Sequence, residues 1–188
     1  MSRLLLVRHC EPEEDARGRC YGSLDVGLSE AGMLHAHELA SHLDGYDAVW
    51  TSPRLRARQT AVALTPSPRV DDDLRELDFG ELEGRTFDEI AASEPDLYRA
   101  WMETPTRVRF PGGESYADLK ARAVRSLERI WDEQDVAVVV THGGVIRAGL
   151  ASWLGMPDEA IFRIDVRYGG VTVVERVAGT PIVRMVNG

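Results

Sequence analysis

Short apolar runs of strand length alternate along this chain with longer stretches in which apolar residues recur every three or four positions. Leu4-Leu5-Leu6-Val7 and Val136-Ala137-Val138-Val139-Val140 are continuous rather than alternating, the pattern of strands covered on both faces. Further strands are predicted at Ala48 to Thr51, near Val70, at Gly170 to Val177 and at Ile182 to Val186. Helices are predicted between them. One runs from an N-cap at Ser29 to Leu43, with Met33, Ala36, Leu39, Ala40 and Leu43 on one face. A second starts with Ser52 as N-cap and Pro53 in the first turn and ends near Leu64. Thr86-x-x-Glu89 is a capping box opening a helical stretch that breaks and restarts around Ser93-Glu94-Pro95. Ser115 caps a long helix that buries Tyr116, Leu119, Ala123, Leu127 and Ile130, and a last helix spans about Gly144 to Leu154. Alternation of this kind predicts an α/β protein with a mostly parallel sheet and helices on both faces.

The 188 residues, 44% hydrophobic and 28% charged, suit one domain with a single sizeable core. No apolar run approaches the roughly 18 residues of a membrane span, and no signal peptide with a separate cleavage site is visible. The expectation is a cytoplasmic protein. Cys10 and Cys20 form no CxxC pair, and a disulfide is not expected in a reducing compartment. The net charge of −9 argues against nucleic acid or an anionic membrane as partner, since both select a basic footprint. It also means that an anionic substrate would need a local cluster of cations.

Candidate chemistry sits where the apolar runs stop. The first strand ends in Arg8-His9-Cys10, and the Val136 strand runs through Thr141 into His142-Gly143-Gly144. Ligands of open α/β sheets bind outside the carboxyl ends of strands, so the two histidines are expected to share a pocket. A neutral imidazole is a competent nucleophile, and a guanidinium grips phosphate oxygens in a bidentate manner. Taken alone, Arg8-His9 also fits an ordinary polar strand exit. Arg56 lies in the first turn of the second helix, where its side chain leans back toward the strand tips and free amides favour an anion. Arg54 and Arg58 read as solvated surface residues. Gly143 and Gly144 let backbone N–H groups approach an oxyanion. Glu76, partly enclosed by Leu74, Leu77 and Phe79, is the acid chosen as proton donor, although a solvated loop carboxylate fits the local composition equally.

Jointly these parts form ordered blocks: Leu-Val-Arg8-His9; Gly22-Ser-Leu-Asp25-x-x-Leu28-Ser29-x-x-Gly32; Thr51-Ser52-Pro53-x-x-Arg56-Ala57-x-Gln59-Thr60; Leu74-x-Glu76-x-x-Phe79-Gly80-x-x-Glu83-Gly84; Pro111-Gly112-Gly113-Glu114-Ser115; and Val140-Thr141-His142-Gly143-Gly144-Val145-Ile146-Arg147. In these the chain resembles the histidine phosphatase superfamily, also called phosphoglycerate-mutase-like, over nearly its full length. The resemblance implies a three-layer α/β/α sandwich with a mixed, mainly parallel sheet. It implies His9 as phosphoacceptor, Arg8, Arg56 and His142 as phosphoryl-binding groups with Gly143 beside them, and Glu76 as acid and then base. It implies no metal and no cofactor. Cys10 stands where the family usually has Gly, and with Gly18-Arg19-Cys20-Tyr21-Gly22 this is similar to the α-ribazole phosphatase branch.

The implied activity is hydrolysis of a small phosphate monoester, with α-ribazole 5'-phosphate as a candidate. A mutase is the nearest rival. Residues 85–111 leave only a short cap over the site, with Phe87, Tyr98, Trp101 and Phe110 available to line it, and this favours hydrolysis. A catalytically silent phosphate-binding module is the rival from another class. Cysteine phosphatase chemistry fails because neither Cys10 nor Cys20 is followed by Arg at the spacing of a phosphate-cradling loop. His35, His37 and His42 read as a solvated helix face, and Asp71-Asp72-Asp73 as a polar turn. The acidic loop Glu11 to Asp15 is expected near the pocket mouth. Oligomeric state is not encoded in any motif.

Overall fold

The computed structural model describes residues 2–188. Its six-stranded sheet has the order β3-β2-β4-β1-β5-β6. The strands are β1 (Ser2–Arg8), β2 (Ala48–Thr51), β3 (Arg69–Val70), β4 (Val136–Thr141), β5 (Val171–Val177) and β6 (Thr180–Met185). The first four run parallel to one another, while β5 is antiparallel to β1 and β6 to β5. The sheet is therefore mixed and mainly parallel.

Side-chain alternation explains the layers. Leu4 and Leu6 of β1, Trp50 of β2 and Val139 of β4 share one cluster with α5 (Tyr116–Glu133) and α6 (Gly143–Trp153). Their neighbours Leu5, Val7, Val49, Val138 and Val140 face the other way, onto Leu39 of α1 (Glu30–His42) and Ala57 and Ala61 of α2 (Leu55–Leu64). Continuous apolar strands are thus the signature of a sheet buried on both sides.

Local signals set most helix starts. Ser29 accepts the Gly32 amide, and capping boxes open both α3 (Phe87–Ser93) and α5, through Thr86 with Glu89 and Ser115 with Asp118. The α4 helix (Pro95–Glu103) begins at its proline, as expected. Two details differ from the sequence reading. Met33 is exposed, because α1 buries the narrow stripe Gly32, Ala36 and Leu39. The α2 helix starts at Leu55, not Pro53, because Pro53 and Arg54 form a bend and the Leu55 amide is met by the Asp25 carboxylate at 2.6 Å.

The register brings the two strand ends level. Arg8 pairs with Thr141 across β1 and β4, and the His9 amide donates to the Thr141 carbonyl at 2.9 Å. The Ser52 amide donates to the Val140 carbonyl at 3.0 Å, so the end of β2 joins the same edge.

Candidate active site

His9 follows β1 and is 2% exposed. Its Nδ1 lies 2.8 Å from the Cys10 carbonyl oxygen. A carbonyl only accepts, so Nδ1 carries the hydrogen and Nε2 keeps its lone pair. Burial, reinforced by the charges of Arg56 and Arg8, holds the His9 pKa well below its ordinary value. The ring is therefore neutral at physiological pH. His142 stands at the start of α6, with ring centroids 5.2 Å from His9. Its Nε2 meets the Ser52 hydroxyl at 2.7 Å, while its buried Nδ1 has no partner. Burial, Arg56 and His9 lower its pKa also.

Arg56 is fully buried, an expensive position for a charge. Its Nη atoms donate to the carbonyls of Leu24 (2.9 Å) and Gly22 (3.1 Å) rather than to a carboxylate. Arg8 donates to the Val166 carbonyl at 2.6 Å. The Nε atoms of Arg8, Arg54 and Arg56 are all buried without a hydrogen-bond partner. Positive charge and unpaired donors held out of water form a site pre-set for an anion. Arg54 belongs to this group, against the sequence reading: its charge depresses both His142 and Arg56. Arg58 is exposed, as expected.

Two tyrosines escaped the sequence reading. The Arg8 guanidinium lies 3.8 Å above the Tyr168 ring and that of Arg56 lies 4.9 Å from the Tyr21 ring. The two hydroxyls meet at 2.7 Å. Each ring thus backs one arginine, and the hydroxyl contact ties the pair together. Tyr21 lies within the run Gly18-Arg19-Cys20-Tyr21-Gly22, but Tyr168 has no local signal beyond the Gly169-Gly170 that follows it.

Glu76 accepts the Leu77 amide through Oε1 at 2.9 Å and the Gly144 amide through Oε2 at 3.1 Å. Gly144 is accordingly committed to the acid and not free for an oxyanion. The loop bearing Glu76 is held from below by Arg122 of α5, which donates to the carbonyls of Asp73, Arg75 and Glu76. Glu114 accepts from Arg122 at 2.7 and 2.8 Å and from the Asp78 amide at 3.2 Å. Burial pushes the Glu114 carboxyl up, but the bonds and charge of Arg122 outweigh it and leave the pKa below the ordinary value.

A cavity of 340 Å³ gathers Arg8, His9, Arg56, Glu76 and His142, together with Tyr21 and Arg147. Gly143 stays behind its wall, where an added Cβ would meet the guanidinium groups of Arg147 and Arg8. Phe87 of α3 and Trp101 of α4 reach the cavity, whereas Phe110 is buried in the aromatic cluster behind them. Arg19 to Gly22, rather than Glu11 to Asp15, supply the rim, and Glu11 is ion-paired with Arg17. This cluster of cations answers the acidic net charge, because distant carboxylates are screened beyond about 8 Å at physiological salt.

Cys10 and Cys20 are free and buried, and burial pushes their thiols up to about 11 and about 12, away from the reactive thiolate. Among the described residues no group of three or more His, Cys, Asp or Glu could hold a metal ion. No helix among them is long and apolar enough to cross a membrane.

The arrangement can bind a tetrahedral anion against a neutral imidazole, with a carboxyl beside it for proton transfer. Comparison with known proteins agrees. The family model described as histidine phosphatase superfamily (branch 1) matches residues 4–188. A bifunctional protein of Mycobacterium tuberculosis is 37% identical over 99% of this chain, and the chain spans about half, 54%, of that relative's length. Phosphoserine phosphatase 1 of Hydrogenobacter thermophilus is 34% identical, over 83% of this chain and 78% of its own. The crystal structure of the α-ribazole phosphatase from Shigella flexneri superposes with a TM-score of 0.89 at 26% identity, covering 99% of this chain and 96% of that one.

Proposed function

The chain belongs to the histidine phosphatase superfamily, and on that footing we propose that it is a metal-independent phosphomonoesterase working through a phosphohistidine. The observation that carries this reading is the cavity that gathers Arg8, Arg56, His142 and Glu76 around the neutral His9, with the Nε atoms of Arg8 and Arg56 buried and unpartnered.

In the first step His9 Nε2 attacks phosphorus in line. The phosphorus–oxygen bond to the leaving group breaks as Glu76 in its acid form passes its proton to the departing oxygen. Arg8, Arg56 and His142 hold the equatorial oxygens, and because they are fixed before substrate arrives they need no reorganisation as charge redistributes. In the second step water attacks the phosphohistidine, Glu76 takes its proton, the phosphorus–nitrogen bond breaks, and phosphate leaves. Each Glu76 oxygen accepts one amide and keeps a second lone pair for this proton.

Hydrolysis is favoured over a mutase because α3 and α4 give only a short cap, with Phe87 and Trp101 at the cavity. The substrate class is a small phosphate monoester. The Shigella relative makes α-ribazole 5'-phosphate a candidate and the Hydrogenobacter relative makes phosphoserine another. Turnover of 4-nitrophenyl phosphate by the purified protein with EDTA present tests the reading. It is expected to persist in the chelator and to vanish in His9→Ala. Loss with EDTA, or survival in His9→Ala, overturns it.

A further inference from the structure

Beyond Glu76 lies a second cavity, of 180 Å³, which shares Glu76, Phe79, Trp101 and Arg147 with the first. Its remaining wall is mostly apolar, including Leu77, Tyr116, Ile161 and Phe162. Phe162, at the rim, is 60% exposed, an unusual place for a large apolar side chain. One of these lining residues carries a polar atom without a partner. Tyr116 is only 5% exposed, and its buried hydroxyl has no hydrogen-bond partner. A buried hydroxyl left unpaired is costly, so such groups ordinarily find an acceptor.

We propose that this second cavity is the leaving-group subsite and takes an aromatic ring bearing a hydrogen-bond acceptor, which Tyr116 meets. The proposal rests on the phosphatase reading, because it is the shared wall at Glu76 that makes the cavity the exit side of the phosphoryl group. The size fits: an apolar cavity of about 150 Å³ accommodates benzene. The walls fit as well, since Phe79, Trp101, Tyr116 and Phe162 offer ring faces and edges to an aromatic guest. Charge disfavours anionic leaving groups less simply. Arg147 lies at the boundary, but its Nε is occupied by the Ile164 carbonyl at 3.0 Å, and Glu76 opposes its charge.

The test compares monoesters of primary alcohols, chosen to be close in leaving-group basicity: 2-phenylethyl phosphate, 2-(pyridyl)ethyl phosphate, glycerol 1-phosphate and O-phosphoserine. The two aromatic esters are expected to exceed the other two in kcat/KM by at least about tenfold. Phe162→Asp, at an exposed position, is expected to bring that ratio toward one. Tyr116→Phe is expected to lower kcat/KM for the pyridyl ester several-fold while sparing the phenyl ester. Turnover of all four without aromatic preference, or a preference for O-phosphoserine through Arg147, overturns the subsite and leaves the phosphatase reading standing. An unchanged pyridyl-to-phenyl ratio in Tyr116→Phe removes the acceptor. Failure to hydrolyse any of the four while 4-nitrophenyl phosphate is turned over overturns the subsite alone, and failure with that ester as well brings down the phosphatase reading and the subsite with it.

Discussion

The Oε2 atom of Glu76 accepts the Gly144 amide at 3.1 Å, so a carboxyl on one loop is fixed to the first turn of the helix that begins beside His142. Acid and anion site are thereby locked to each other through the backbone. A Cβ added at Gly144 would stand 2.2 Å from Glu76 Oε1. Gly144→Ala is therefore expected to displace the carboxyl and lower kcat by about 100-fold, in keeping with a misplacement of roughly 1 Å. Glu76→Gln, which removes the proton, should cost about 10² to 10⁴. Steady-state kinetics, with circular dichroism to establish that both variants fold, check the pair.

Arg122 and Glu114 form the support beneath that loop. Arg122 is 5% exposed and bonds three loop carbonyls as well as Glu114. Removing one partner of a buried pair leaves the other charge uncompensated, at about 3–5 kcal/mol. Arg122→Ala is expected to lower the urea midpoint accordingly. Arg122→Lys should recover little of it, because an ammonium cannot reproduce the planar fork. An unfolding free energy within about 0.5 kcal/mol of the parent would show that the loop holds itself.

The buried histidines make stability depend on pH in a defined direction. Both His9 and His142 have pKa values well below 6.5 in the fold, so the unfolded chain binds protons that the native one refuses. Their contribution is complete above the unfolded value and declines as pH falls through it toward the folded values. The expected slope is about half of 1.4 kcal/mol per pH unit for each histidine at pH 6.5 and approaches about 1.4 as pH falls further. Denaturant titrations between pH 5.5 and 6.5 check it. His142→Asn should lose about half of the histidine slope, and an unchanged slope would mean that the ring is protonated in the native state.

The fold was legible because its strongest signals are local. Continuous apolar runs at Leu4 to Val7 and Val136 to Val140 marked strands buried on both faces, and Ser29, Thr86 and Ser115 announced helix starts through their own side chains. The first turn of α2 misled because Ser52, which looked like its N-cap, bonds His142, while the cap of Leu55 comes from Asp25. That bond joins residues 30 apart, and no neighbouring residue announces it.

The site followed the same division. Arg8, His9, Arg56 and His142 stand at strand ends or helix starts, where position alone suggests function. Arg54 sits beside Pro53 and reads as surface, yet its Nε is buried and its charge is felt at His142. Tyr168 approaches Arg8 only because Val171 of β5 pairs beside Val7 of β1. Such contacts depend on tertiary closure, so the residues that back the arginines were invisible where the arginines themselves were not.

The identity of the nucleophile is best tested by trapping the intermediate. The protein is mixed with 2-phenylethyl phosphate, quenched in alkali during turnover, digested and mapped by mass spectrometry. A phosphoryl group is expected on His9, stable to base and labile to acid, and absent from His9→Ala. Turnover with no phosphorylated peptide at any quench time, or a phosphoryl group on His142, Cys10 or another residue in its place, would contradict it.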